Sequence, residues 1–229
     1  MKYFDNIYIL IPVFNEKKVI KKLILNLKKN FKYIIAVNDG SYDGTREILE
    51  ELDIILINHP INLGQGAAIK TGLEYINNYL NGHAVITFDA DGQHSVEDAV
   101  LFADNILTTD KDIIFGSRFI KNSVNVPFLK KIMLKTATLI TNQFLSLNLT
   151  DTHNGLKAIK TSVLQKINLS IDGYAFETEL IIEIAKNQIP YIELPTNIKY
   201  TEYSKQKGQG ILNSIRIFED IIFKLIRKQ

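Results

Sequence analysis

The sequence contains no cysteine and no tryptophan among its 229 residues. The lack of cysteine excludes a disulfide scaffold, a thiolate metal site and a cysteine nucleophile. No apolar run is long enough to span a bilayer or to form the core of a signal peptide. Neither sign of charge predominates, since the chain has 27 Lys and Arg and 25 Asp and Glu, a net charge of +2. Such an even balance indicates no nucleic-acid partner. We therefore expect a cytoplasmic protein, at most peripheral on the inner face of the cell membrane.

The composition that remains is that of a globular protein, with 46% hydrophobic and 23% charged residues. Five runs rich in Ile and Val predict strands that are covered on both faces. These strands are Ile7–Val13, Tyr33–Asn38, Ile54–Asn58, Ala84–Phe88 and Asp112–Gly116. Four helical patterns alternate with them, at Glu16–Lys29, Asp43–Leu52, Gly66–Tyr79 and Val96–Leu107. The alternation predicts an α/β fold with a mostly parallel sheet flanked by helices.

The second half of the chain has a different pattern. We predict helices at Pro127–Leu147 and Phe176–Asn187, and an edge strand at Tyr191–Tyr200 because Pro195 interrupts it. A polar loop, Thr201–Gly210, precedes an amphipathic helix at Ile211–Arg227. No linker divides the chain, so we expect a single domain. The terminal helix either packs on its own domain or lies on an anionic membrane.

Polar residues follow the first two predicted strands at their carboxyl ends, where ligands bind in parallel sheets. Pro12 and Asn15 end the first strand, and Glu16 opens the next helix, where the helix dipole alone would favour an acid. Asp39 ends the second strand within an Asn-Asp-Gly-Ser sequence. Its carboxylate could accept hydrogen bonds from the N–H groups of uracil or guanine, although Asp-Gly pairs also occur simply as turns.

The fourth predicted strand ends in a pair of carboxylates. Asp89 and Asp91 stand at i and i+2, so in an extended chain they point the same way and repel each other. A divalent cation between them removes this repulsion, and hard oxygen ligands suit Mg²⁺ or Mn²⁺. The alternative is an ordinary Asp-Gly turn followed by a helix N-cap at Ser95.

Two further motifs lie at the same predicted edge. Residues Asn62–Ala68 lack the Gly-Lys-Ser/Thr of a P-loop, so we predict a tight turn before a helix. Arg118 follows the fifth strand, and its planar guanidinium suits phosphate oxygens. The alternative for Arg118 is an ordinary surface residue.

In this order, the motifs closely resemble those of the family 2 glycosyltransferases, which are inverting enzymes with the Rossmann-like GT-A fold. The Asp-Ala-Asp-Gly-Gln-His run at Asp89–His94 is typical of the branch that makes dolichol- and polyprenyl-phosphate sugars. The matching motifs are Ile11–Glu16, Val37–Ser41, Asn62–Gly64, Phe88–His94 and Gly116–Phe119. The resemblance covers about the first half of the chain.

The resemblance implies that Asp39 holds the nucleobase of a nucleoside diphosphate sugar. It implies a Mg²⁺ or Mn²⁺ cofactor organised by Asp89, Asp91 and Gln93, with Asp91 as the main ligand. The donor-site residues that it implies are Pro12, Asn15, Glu16, Asp39, Asp89, Ala90, Asp91, Arg118, Lys205 and Lys207. It also implies a donor-binding half over 1–119, an acceptor and catalytic half over 120–210, and the terminal helix over 211–229.

The acceptor half departs from the branch. Thr150–Lys157 replaces an Asp-Pro-x-Ser-Gly-Phe-Arg-like stretch, and His153 is a possible phosphate or hydroxyl partner. A lipid phosphate acceptor needs no general base, whereas a sugar hydroxyl needs a carboxylate to remove its proton. The candidate bases are Asp151 first, then Glu177 or Glu179. Turn formation and helix-dipole stabilisation are the alternative roles of these acids.

From this resemblance we expect an inverting, metal-dependent transferase that uses a UDP or GDP sugar. The expected acceptor is a polyprenyl or dolichyl phosphate or a growing surface glycan. One alternative is a non-catalytic module that only binds nucleotide sugars. The other is a sugar-nucleotide pyrophosphorylase, which is disfavoured because residues 12–16 lack its Gly-rich basic signature.

Overall fold

Seven strands form one mixed sheet in the order β3-β2-β1-β4-β6-β5-β7. The computed structural model describes residues 2–120, 126, 128–169 and 176–198. The strands are β1 (Phe4–Val13), β2 (Phe31–Asp39), β3 (Ile55–His59), β4 (Ala84–Thr87), β5 (Ile113–Ser117), β6 (Lys157–Lys160) and β7 (Tyr191–Pro195). The helices are α1 (Ile20–Leu27), α2 (Thr45–Glu50), α3 (Gln65–Tyr79), α4 (Val96–Thr108), α5 (Phe128–Leu145) and α6 (Phe176–Lys186), and a 3-10 helix spans Thr161–Lys166. The predicted α/β fold with a mostly parallel sheet is confirmed.

The central strand β1 carries the core on both of its faces. Ile9 and Ile11 pack in one cluster with the apolar residues of α1 and α4. Leu10 packs in the other cluster with residues of α3 and α6. The helix α3 lies so close to β1 that a Cβ on Gly72 would be 2.1 Å from Leu10 Cδ1. This three-layer packing explains why the strands read as continuous apolar runs rather than as alternating ones.

Strand β6 was missed by the sequence pattern. It is antiparallel to both β4 and β5 and lies between them. Its four residues begin and end with lysine, Lys157 and Lys160, so it lacks the apolar run that identified the other strands. The insertion of β6 brings the segment that precedes it, residues 150–156, beside the end of β4, where Thr87 Oγ1 donates to the Gly155 carbonyl at 2.7 Å.

Several predicted boundaries were wrong. Helix α1 begins at Ile20 rather than Glu16, because the Glu16 backbone N–H donates to Thr45 Oγ1 at 2.8 Å after a left-handed Asn15. Helix α2 begins at Thr45 rather than Asp43, since Gly44 has a φ of +93°. The N-cap at Ser95 is confirmed, with its Oγ accepting from Asp98 N at 3.0 Å.

The edge position of β7 is confirmed, although this strand ends at Pro195. The end of the predicted strand at Tyr200, the loop Thr201–Gly210 and the helix Ile211–Arg227 lie outside the described residues. Within the part of the chain that is described, no helix combines the length and apolar content needed to cross a membrane.

Candidate active site

Asp39 ends β2 at the carboxyl edge of the sheet, where its carboxylate meets three donors. Oδ1 accepts from Leu63 N at 2.9 Å and lies 2.8 Å from His59 Nδ1. Oδ2 accepts from Gly64 N at 2.8 Å. Asp39 is 2% exposed. The carboxylate therefore fixes the turn before α3, and its contact with a nucleobase stays a prediction.

The end of β1 is tied to the turn after β2. Asn15 has a φ of +53°, its N–H donates to Ser41 Oγ at 3.0 Å, and its Oδ1 accepts from Tyr42 N at 3.0 Å. Glu16 is buried beside this turn, and Pro12 lies within β1. Gly40 is required here, because it has a φ of +69° and a Cβ would lie 2.4 Å from the Ile61 carbonyl carbon. These contacts join the first two motifs into one wall of the crevice.

Asp89 and Asp91 follow β4, on either side of the buried Ala90. Asp91 accepts from both donors of Gln93, the backbone N–H at 2.9 Å and Nε2 at 2.6 Å. Asp89 accepts from Gln65 Nε2 at 3.1 Å and lies 3.3 Å from His94 Nε2. The two carboxylates are close enough for the charge of Asp89 to act on Asp91, and each has its own amide partner.

The pKa values of the two carboxyl groups are shifted in opposite directions. Burial and then the negative charge of Asp89 raise the pKa of Asp91 to about 6. Burial would also raise the pKa of Asp89, but the His94 hydrogen bond and the positive charges of His94, Lys157 and Arg118 lower it below its usual value. Two partly buried acids that repel each other in this way form a suitable position for a cation.

No three His, Asp or Glu side chains in the described ranges form a group able to hold a metal ion on their own. That observation still fits Mg²⁺, which is commonly bound by one or two carboxylates together with waters and substrate phosphates. The donor chemistry of Asp89 and Asp91 is therefore suitable, and their role as ligands stays a prediction, as does that of Gln93.

Gly155 is a residue of the site that the sequence did not single out. A Cβ at this position would lie 2.1 Å from Asp89 Oδ2 and 2.7 Å from its carboxyl carbon. Only glycine therefore lets the segment before β6 approach the Asp89 carboxylate so closely. The signal was present as the one glycine within Thr150–Lys157.

Arg118 and Asp151, two predicted site residues, pair with each other. Arg118 Nε donates to Asp151 Oδ2 at 2.6 Å, and Nη2 donates to Oδ1 at 2.7 Å and to the His153 carbonyl at 2.7 Å. Both side chains are buried. Burial opposes ionisation of Asp151, but the Arg118 charge and its hydrogen bonds hold the pKa of that carboxyl below its usual value. The roles of Arg118 toward phosphate and of Asp151 as a base stay predictions.

Glu177, at the start of α6, forms an ion pair with the fully buried Lys157 of β6. Lys157 Nζ also donates to the Asn154 carbonyl at 2.5 Å. Burial raises the pKa of Glu177 despite the opposing charge of Lys157. Glu179 is buried two residues farther along α6. Lys205 and Lys207 lie outside the described residues.

Glu193 of β7 is a second residue that sequence reasoning missed. Its carboxylate accepts from Thr150 N at 2.8 Å and from Asp151 N at 3.2 Å. Burial raises the pKa of Glu193. No local pattern marks this acid, because its partners are more than forty positions away along the chain.

Known proteins share both this sequence and this architecture. The profile of Glycosyl transferase family 2 matches residues 8–168. The chain is 34% identical to the UDP-N-acetylglucosamine–dolichyl-phosphate N-acetylglucosaminyltransferase of Methanococcus voltae, over 93% of each protein. It is 29% identical to the polyprenol monophosphomannose synthase of Mycolicibacterium smegmatis, over 89% of this chain and 82% of that protein.

The fold is also similar to that of a solved enzyme. Glucosyl-3-phosphoglycerate synthase from Mycobacterium tuberculosis, crystallised with Mg²⁺ and UDP, superimposes with a TM-score of 0.74. The match covers 97% of this chain and 78% of that one at 15% identity, so it concerns the GT-A fold alone. The profile match over most of the chain and the named relatives favour a transferase over a pyrophosphorylase or a binding module. The chain therefore belongs to glycosyl transferase family 2 and is a glycosyltransferase.

Proposed function

We propose that this enzyme transfers a sugar, with inversion, from a nucleoside diphosphate sugar to a polyprenyl or dolichyl phosphate. The observation that carries the proposal is the pair Asp89 and Asp91 at the carboxyl end of β4, one strand away from β1 and two from the end of β2 at Asp39. The names of the two sequence relatives, which are lipid-phosphate glycosyltransferases, support the same class of donor and acceptor.

The donor end of the reaction lies in the half of the chain before residue 120. Asp89 and Asp91 would hold Mg²⁺ or Mn²⁺ together with the diphosphate. When bound, the cation neutralises the charge that builds on the leaving diphosphate. Against the effect of burial, the His94 hydrogen bond and the charges of His94, Lys157 and Arg118 lower the pKa of Asp89, which keeps this carboxylate anionic and able to bind a cation. A carboxylate oxygen of Asp39 would accept a hydrogen bond from the nucleobase.

The acceptor end supports a phosphate rather than a hydroxyl. Asp151 carries Arg118 on both of its oxygens, and Glu177 is paired with Lys157. The Arg118 charge and hydrogen bonds hold the pKa of Asp151 below its usual value, so this carboxylate has a reduced tendency to take a proton. Burial raises the pKa of Glu177, but its carboxylate is already engaged by Lys157. A phosphate oxygen is already anionic and needs no base, so these two engaged acids are compatible with attack by a lipid phosphate. In this proposal, Asp151 and Glu177 position cations instead of removing a proton.

A lipid acceptor requires contact with a membrane surface, and α5 has a suitable face. Phe128, Ile132 and Leu139 share one side of this helix and are exposed. Lys131 and Lys135 flank them, and the helix contains no acidic residue. On its buried side, Thr138 Oγ1 lies 3.1 Å from Thr152 Oγ1, next to Asp151. We therefore place the enzyme at the inner membrane face, with α5 against anionic lipid.

A transfer assay tests the proposal. Purified protein with Mg²⁺ is given UDP-N-acetylglucosamine or a GDP sugar, and either a polyprenyl phosphate or the matching polyprenol in detergent. The proposal predicts a sugar-phosphate lipid of inverted anomeric configuration, seen by NMR, from the phosphate only. Sugar transfer to the polyprenol, or to neither lipid with any donor, would contradict it.

A further inference from the structure

A histidine outside the predicted motifs contacts the carboxylate of Asp39. Strands β2 and β3 are parallel, and their register sets Asp39 directly beside His59. The preceding pair in the same register is also polar, with Asn38 Nδ2 donating to Asn58 Oδ1 at 2.8 Å. The ends of these two strands thus form two successive side-chain contacts, of which the outer one involves Asp39.

The ring of His59 is held from both sides. Nδ1 lies 2.8 Å from Asp39 Oδ1, and Nε2 lies 3.0 Å from Thr71 Oγ1 on α3. A carboxylate oxygen only accepts hydrogen bonds, so Nδ1 must carry the proton at this distance. The Thr71 hydroxyl can serve Nε2 as donor or acceptor. His59 therefore acts as a fixed donor to one oxygen of Asp39.

This donor limits what Asp39 can still accept. A carboxylate has about four acceptor positions, two on each oxygen. On Oδ1 they are taken by His59 and Leu63 N, and on Oδ2 one is taken by Gly64 N. Counting the contacts of the described residues, a single position remains, on Oδ2.

The two candidate bases differ in what they would require from Asp39. Uracil presents one donor on its pairing edge, N3–H, between two carbonyl oxygens. Guanine presents two adjacent donors, N1–H and the N2 amino group, which match both oxygens of a carboxylate at once. With Oδ1 filled, Asp39 can satisfy uracil fully but leaves one guanine donor without a partner, which is costly in a buried site.

We propose that His59 is a positioning residue that, by filling Oδ1 of Asp39, makes the donor site selective for uridine over guanosine diphosphates. The inference rests on the proposed function, since it requires that Asp39 faces the base. It names the nucleotide class that the sequence left open. It also assigns a role to a residue that need not contact the substrate itself.

Three variants of the full chain separate this role from a general effect on folding. His59→Asn keeps a donor near the position of Nδ1, because the Asn amide nitrogen can take that place. His59→Leu removes the donor and opens the second position on Oδ1. Thr71→Val removes the hydroxyl that contacts Nε2 of His59 and leaves the Nδ1–H donor of the ring in place. Thermal unfolding of each variant reports whether the fold is kept.

The measurement is the dissociation constant of UDP and of GDP by titration calorimetry, each with Mg²⁺. The wild type should bind UDP at least about tenfold more tightly than GDP, which corresponds to about 1.4 kcal/mol. His59→Leu should lose most of this ratio by gaining GDP affinity, whereas His59→Asn should keep it. The ratio of UDP to GDP affinity in Thr71→Val should lie between the ratios of these two variants.

A UDP preference that persists in folded His59→Leu overturns the inference while the proposed function stands. A wild type that prefers GDP also overturns it. Binding of neither nucleotide by the wild type contradicts the proposed function itself, and the inference falls with it.

Discussion

Arg118 donates to both carboxylate oxygens of Asp151, through Nε at 2.6 Å and Nη2 at 2.7 Å, in a buried pair that joins β5 to the segment before β6. A bidentate geometry of this kind fixes both side chains in orientation as well as in distance. It also links the end of β5 to the segment 151–153, because Arg118 Nη2 donates to the His153 carbonyl. The pair therefore holds the end of β5 and the segment before β6 together at the site.

Removing one member of this pair should destabilise the fold. Asp151→Asn and Arg118→Met each leave a buried group without its partner, and we expect each to cost about 3–5 kcal/mol. The double variant should cost less than the sum of the two. Denaturant unfolding of the four proteins checks this. Additive effects would show that the two side chains do not interact in solution.

Replacing Gly155 by alanine should disable catalysis. The new Cβ would lie 2.1 Å from Asp89 Oδ2, so either the carboxylate or the segment must move. A displacement of about 1 Å at a catalytic group can reduce the rate about 100-fold. Steady-state kinetics together with the metal dependence of nucleotide binding test this. Wild-type activity in Gly155→Ala would contradict the close approach.

His153 should make stability depend on pH in a defined window. Burial lowers the pKa of His153 to about 4, against the opposing charge of Asp151. The unfolded chain therefore binds this proton more readily than the folded one between about pH 4 and pH 6.5. Stability should rise with pH across that window, by up to about 3 kcal/mol from this group.

The matched variant for this prediction is His153→Gln, which cannot titrate. The difference in unfolding free energy between the wild type and His153→Gln, measured from pH 4 to pH 7, isolates the histidine from the carboxylates. It should grow in favour of the wild type as the pH rises. A difference that stays constant with pH would show that His153 has an ordinary pKa in the folded state.

The exposed face of α5 should bind anionic vesicles. Phe128 and Leu139 are 79% and 66% exposed, and full burial of such a side chain contributes about 1.5–3 kcal/mol. The double variant Phe128→Ser, Leu139→Ser should therefore reduce flotation with phosphatidylglycerol vesicles about tenfold or more. Tyr79→Ser, at a position on α3 that is 73% exposed, is the matched control and should float like the wild type.

Neutral phosphatidylcholine vesicles add a second test of the same face. Because Lys131 and Lys135 flank the apolar side chains, binding should be weaker without anionic lipid and should fall with salt. Equal flotation of the wild type and the α5 variant would contradict membrane binding by this face.

Much of the architecture could be predicted from the sequence because the parallel strands are apolar on both faces. The runs that contain Ile9 and Ile86 stand out for that reason alone, and both lie in the sheet where expected. The convergence of Asp39, Asp89 and Arg118 on one edge followed from the strand order of such sheets. These are features of local pattern and topology.

The parts that could not be predicted depend on distant contacts. Strand β6 has only four residues, and it is stabilised by hydrogen bonds to β4 and β5 rather than by its own pattern. Glu193 and Thr150 are 43 positions apart, and His59 is 20 positions from Asp39. The ion pairs of Asp151 with Arg118 and of Glu177 with Lys157 likewise form only once the chain is folded. These ion pairs bear directly on whether the two acids can serve as bases.

The central claim is that Asp91 completes a cation-dependent nucleotide site, and thermal unfolding with UDP tests it most directly. At a ligand concentration of about 100 times the dissociation constant, UDP with Mn²⁺ should raise the melting temperature of the wild type by about 5–10 °C. The shift should be much smaller without the metal and absent in Asp91→Asn, whose own fold stays intact. The same metal-dependent shift in Asp91→Asn would contradict the account.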